Sequence, residues 1–143
     1  MKKLGIGALI GWLMAVTLAG AALPPELAAE ARRAMSRGAE WLVGQQQADG
    51  HWSLADSPAL TGLAMWALQA TASEPYKSAI DRALVFILTS VQEDGSIWRA
   101  PSMERKGGGL ANYNTAVCMT ALHALGRPEL VPVVQKARTH LAK

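Results

Sequence analysis

A single cysteine, Cys118, among 143 residues excludes an internal disulfide, so stability must come from packing or from a partner. Charge is also sparse. Only 17% of residues are charged while half are hydrophobic, which excludes a disordered, solvating chain and marks one that builds a core. The formal net charge is +3, and two of those positive charges, Lys2 and Lys3, belong to the extreme N-terminus. Without residues 1–21 the balance is 12 basic against 11 acidic side chains, and no basic block remains that would argue for nucleic acid. The apolar–polar alternation of strands is missing throughout, which leaves helices.

The N-terminus has three parts in order. Lys2-Lys3 is followed by an uncharged run from Leu4 to Leu18, then by Ala19-Gly20-Ala21 and Pro24-Pro25. A basic start, an apolar stretch and a small-x-small site read as a secretory signal peptide over residues 1–21, with export to the periplasm or outside the cell. An N-terminal membrane anchor is the alternative, since the run to Leu23 is just long enough to span a bilayer. Residues 22–143 then form one domain.

That domain repeats itself. "RGAEWLVGQQQADGHW", Arg37 to Trp52, falls on "RALVFILTSVQEDGSIW", Arg82 to Trp98, after a shift of 45. Arg37 lands on Arg82, Gly38 on Ala83, Trp41 on Phe86, Gln47 on Gln92 and Gly50 on Gly95, with the closing Trp98 displaced by one residue. "TGLAMWALQA" from Thr61 then matches "TAVCMTALHA" from Thr115 at a shift of 54. The nine extra residues lie in the insertion "RAPSMERKGGG". A third copy starts at "KARTHL", with His140 at the aromatic position, and goes no further. Periodic repetition at this length is the signature of stacked helical units.

Each unit reads as an amphipathic helix followed by an apolar one. The spacing predicts helices over about 26–47, 58–70, 76–92, 113–125 and 129–142. Ser57 with Pro58 suits a helix start, and Asn112 or Asn114 suits the start of the fourth helix. Gly126-Arg127-Pro128 stops it. Gly38 inside a helix, with Ala83 as its counterpart, points to close packing there. The apolar helices should be buried on both sides.

Arg37-Gly38-x-x-Trp41-Leu42-x-x-x-Gln46 followed by Gly50-x-Trp52 resembles the QW repeat of squalene-hopene cyclases and related terpenoid cyclases. "NYNTAVCMTAL" and "TGLAMWALQA" are similar to the inner helices of that superfamily, which includes the protein prenyltransferase β-subunits. The second motif copy is degenerate, with Val91 before Gln92 and an extra residue before Trp98. The resemblance covers nearly all of the chain after residue 25. It implies an all-α, partial α/α toroid of about two and a half helical-hairpin repeats. In it, Gln46 or Gln47 and Trp52, with Gln92 and Trp98 in the second copy, tie neighbouring outer helices together. The residues agree with that role. An amide at a helix C-terminus can satisfy free backbone groups, and a tryptophan can cover it while donating its own N–H.

Chemistry is harder to find. Protonating cyclases of the family carry Asp-x-Asp-Asp, and others carry an Asp-Asp-rich magnesium-diphosphate motif; neither is in this chain. Asp56 is the one carboxylate near a plausible cavity, and Leu110 holds its repeat position. The prenyltransferase zinc set has no counterpart, because Cys118 and His123 lie five apart on one helix, the wrong spacing for a shared face. His51 is expected to be exposed and His140 to be a packing residue. Arg99, Arg105 and Lys106 in the insertion are candidates for contacting an anionic headgroup or diphosphate, the alternative being that the insertion is a solvated linker. No cofactor or metal is expected. The sequence therefore favours an exported, non-catalytic QW-repeat module that binds a partner or an apolar, isoprenoid-like ligand. Partners would be a second copy or a protein carrying further toroid repeats. The alternative is a terpene cyclase- or prenyltransferase-like enzyme acting on an isoprenoid once oligomerisation completes the ring.

Overall fold

The computed structural model describes residues 24–102 and 109–143. The leader and, within the insertion, Arg105 and Lys106 lie outside them. The protein is all-α: α1 (Pro25–Gln45), α2 (Pro58–Leu88), α3 (Ala111–Ala124), a 3-10 turn (Pro128–Leu130) and α4 (Val131–Leu141). Among the described residues the only extended pairing is an isolated bridge between Val91 and Ile97. None of the described helices is long and apolar enough to cross a membrane. The chain divides into two units, residues 1–32 and 33–143, with the boundary inside α1. In the first, Pro25 opens α1 with the fixed φ that suits a first helical turn, and the Ala28 N–H donates to the Pro24 carbonyl at 2.9 Å.

The two helices expected over 58–70 and 76–92 are joined as α2, 31 residues long with Pro75 inside it. A straight helix of this length would span about 46 Å. Its ends are much closer than that. Ser90 accepts from the Trp98 N–H, the neighbouring Ile97 N–H reaches the Thr115 hydroxyl, and Asn114 accepts from the Ala59 N–H, at 3.0, 2.8 and 3.0 Å. Those links hold Ala59 and Ser90 within about 30 Å, from backbone dimensions and hydrogen-bond lengths. So α2 turns back on itself. Pro75 supplies the cause, since it has no N–H for the turn before it and its ring crowds the carbonyl four residues back. The apolar segment over 58–70 and the amphipathic one over 76–92 are therefore two arms of one bent helix.

The arms close around a single core. Met65 and Leu68 from the first arm and Ile80, Leu84 and Ile87 from the second cluster with Cys118 and Leu122 of α3 and Ala137 of α4. Gly62 of α2 faces α3, where a Cβ would make an ordinary contact 3.5 Å from the Cys118 Cα. The helix starts depart from expectation. Ser57 makes no side-chain cap, and Asn114 lies inside α3, which begins after Leu110 in a left-handed conformation at φ 52°. Asn114 instead caps α2 from a distance, taking the Ala59 N–H and donating to the Gly109 carbonyl. At the other end Gly126, at φ +64°, stops α3 as its sequence implies. Burial of the apolar arm is one-sided, because Leu63 and Trp66 remain 43% and 42% exposed.

Candidate functional site

The first joint is built from the end of α1. Gln46 follows the last helical residue, and its amide N–H donates to the Ala79 carbonyl at 2.9 Å and to the Gly50 carbonyl at 3.0 Å. Its side-chain oxygen accepts from the Arg82 guanidinium. One side chain thus ties the end of α1, its own turn and the second arm of α2. Gln47 does not share the role; its side chain reaches only the Gln45 carbonyl at 3.4 Å. Gly50, at φ +96°, packs so tightly that a Cβ would run into the Arg82 carbonyl. Trp52 is buried, donating from its indole to the Leu42 carbonyl at 2.7 Å and from its backbone to the Thr61 hydroxyl at 3.2 Å.

The second joint repeats this geometry at the offsets read in the sequence. The Gln92 N–H bonds the Ser96 carbonyl as the Gln47 N–H bonds that of His51, a shift of 45. Gly95, at φ +91°, abuts the Lys136 carbonyl, where a Cβ would lie 2.6 Å away. Arg82 and Lys136 differ by 54. The Ile97 N–H meets the Thr115 hydroxyl as the Trp52 N–H meets that of Thr61. This corrects two expectations. Ile97, fully buried, takes the place of Trp52, while Trp98 is displaced to pack beside Gly109. Gln92, aligned with Gln47 by the 45-residue shift, does not tie outer helices as expected, since its side chain bonds only locally, to the Ser90 and Trp98 carbonyls. Val91, at the Gln46 position, has no amide to offer. Asp94 instead pairs with His140 of α4 at 3.1 Å, so His140 is a polar link in this joint.

The surfaces that receive these turns also repeat, and they differ in cover. Phe86 is buried at 3% exposure, with the His51 ring stacked on it at 5.2 Å and the Arg99 guanidinium 4.0 Å from its centre. Trp41, its counterpart, is 64% exposed. Ala83 is fully buried, whereas nothing lies within 4 Å of a Cβ placed on Gly38. The close packing expected at Gly38 is therefore absent, and Trp41 is a surface residue. Arg37 is exposed too, where Arg82 is joined to Gln46.

The candidates for chemistry are engaged structurally. Asp56 accepts from the backbone and hydroxyl of Ser102 at 2.7 and 2.8 Å, anchoring the start of the insertion. Arg99 lines the same hollow of about 250 Å³ but bonds the Ser90 and Thr89 hydroxyls while covering Phe86, so it is a clamp. Cys118 is fully buried and its thiol is pushed up to about 12 by that burial. His51 is half-buried, against the expectation of exposure, and its hydrogen bond holds Asp49 below the usual 3.8. Ser96 lowers Asp94 in the same way, and Lys77 and then Arg127 lower Asp81. Among the described residues no three His, Cys, Asp or Glu side chains gather as a metal site.

Among the described residues, two clefts are lined mainly by apolar side chains. One, of about 510 Å³, is lined by Trp41, Leu42, Trp52, Leu60, Leu63 and Ala64. The counterparts of these residues in the second unit include Phe86, Ile87, Ile97, Asn114 and Cys118, all buried. The other, of about 450 Å³, lies between α3 and α4 at Leu122, Pro128, Leu130, Val131 and Val134. Sequence reasoning missed the roles of Thr61, Thr115 and Asn114. The two threonines open the matched segments, and that coincidence was their available signal. Compared with known proteins, the chain matches no family model, no curated protein and no solved structure.

Proposed function

We propose that this chain is an exported QW-repeat module, a partial α/α toroid similar to the terpenoid cyclases, that binds rather than catalyses. The observation that carries this reading is the joint itself. Turn geometry, glycine contact and threonine acceptor recur at shifts of 45 and 54, while Trp41 of the first unit stands open where its counterpart Phe86 is buried. A stacked repeat with an uncovered apolar unit face gains stability when a further unit or an apolar ligand covers it. The occupants that fit are a protein with further repeats of this kind, or an isoprenoid or other lipid chain in the cleft at Trp41 and Leu63. An enzymatic reading gains no residue from Asp56, whose carboxylate holds the insertion in place. Export through the segment at residues 1–21 belongs to the same proposal.

The test is native mass spectrometry of the protein expressed as the full chain, coupled to lipid extraction. The expected species lacks residues 1–21 and carries bound lipid, a partner or a second copy. A bare monomer that takes up no prenyl alcohol or phospholipid contradicts the reading.

A further inference from the structure

Resting on that reading, we infer that α1 presents a vacant acceptor for a partner's helix-ending Gln-x-x-x-Gly turn, centred on Arg37, Gly38 and Trp41. The acceptor is known from its occupied counterpart. On the second arm of α2, Arg82 holds the Gln46 amide oxygen, the Arg82 carbonyl lies against Gly50, and Phe86 takes the His51 ring. On α4 the same register is filled again, with Lys136 against Gly95 and His140 on Asp94. On α1 the register is intact and open. Arg37 offers the guanidinium, Gly38 leaves room for the turn, and Trp41 offers an exposed ring.

The occupant follows from the same facts. Both Gln/Gly turns of this chain are docked on its own helices, so a second folded copy has none to give. The partner is therefore a different protein whose helix ends in such a turn, with a glutamine placed for Arg37 and a glycine placed for the α1 backbone. Gly in the turn is required because the acceptor backbone approaches where a Cβ would stand, and the turn glycine holds a left-handed φ. An amide suits the site because Arg37 supplies donors only, so an oxygen must accept from it, while the amide N–H can donate to a helix carbonyl as Gln46 does to Ala79.

The probe is a synthetic peptide of residues 37–53 of this chain, titrated into the isotope-labelled full chain by NMR. Shift changes centred on Arg37, Gly38 and Trp41 are expected, with Arg82, Ala83 and Phe86 unmoved. Gly38→Leu fills the vacant space without touching the chain's own fold, so its Tm should stay level or rise while peptide binding falls at least tenfold. A peptide carrying Gly50→Val should bind at least tenfold more weakly to the unsubstituted chain. Shifts centred on Phe86, no binding at all, or equal binding to the Gly38→Leu chain would each overturn the inference. Loss of peptide binding alongside bound lipid or partner in the native mass spectrum removes this acceptor and leaves the module reading standing. Loss of both removes the module reading as well.

Discussion

Gln46 carries the first joint because it stands one residue past α1, where its amide can reach across to α2 and back to its own turn. Gln92 has the same residue type in nearly the same motif and makes only local bonds. Replacing Gln46 by Met should therefore destabilise the chain by about 1–2 kcal/mol, the cost of stranding part-buried partners. Gln92→Met should stay within about 0.5 kcal/mol, the range of surface changes. Urea unfolding midpoints of the two variants check this, and equal losses would contradict the assignment. Cys118 behaves as a small buried hydrophobe. With its thiol raised to about 12, it should resist thiol reagents at pH 8 in the folded chain and react once urea unfolds it. Rapid labelling of the native protein would show that α3 does not seal it.

At the scale of elements, the links that set the fold run between segments 18 to 55 residues apart. Asn114 caps α2 from inside α3, so Asn114→Ala should cost about 1–2 kcal/mol, as loss of a helix cap does, although α3 itself keeps its start. Far-UV circular dichroism with urea titration reads both effects. Asp81 joins α2 to the loop before α4 through Arg127, while also pairing with Lys77 on its own helix. Its folded pKa is lowered from 3.8, so its stabilising contribution is full above that value and is lost as pH falls through the lower folded one. Asp81→Asn should flatten the decline of Tm below pH 4; parallel curves for variant and parent would remove the coupling.

The helices and the repeat were legible because apolar periodicity and turn glycines are local signals, and the 45- and 54-residue shifts reappeared as paired hydrogen bonds. Continuity through Pro75 was not legible. Proline removes one hydrogen bond and bends a helix, and whether the helix resumes depends on what both arms pack against. Nor could motif matching distinguish Ile97 from Trp98. Spacing from the turn glycine decides which residue enters the core, and Ile97 stands two after Gly95 as Trp52 stands two after Gly50. The openness of Trp41 was hidden for another reason: a sequence repeat records equivalence of position, while cover depends on what precedes each copy in space.

Taken as a whole, the molecule uses one joint twice and offers its acceptor three times, on α1, on α2 and on α4. The three acceptors are unequal in cover, and that inequality is the basis for assigning a binding role. Trp41 and Phe86 test it directly, since these two aromatics occupy one repeat position and differ sharply in what lies over them. The measurement is the unfolding free energy of Trp41→Ala and Phe86→Ala in the full chain, by urea titration. Phe86→Ala should lose about 3–5 kcal/mol, as expected for a buried aromatic. Trp41→Ala should change stability by less than about 0.5 kcal/mol, as expected at an open surface. A loss at Trp41 as large as that at Phe86 would mean the α1 face is already covered, and the vacant acceptor would not exist.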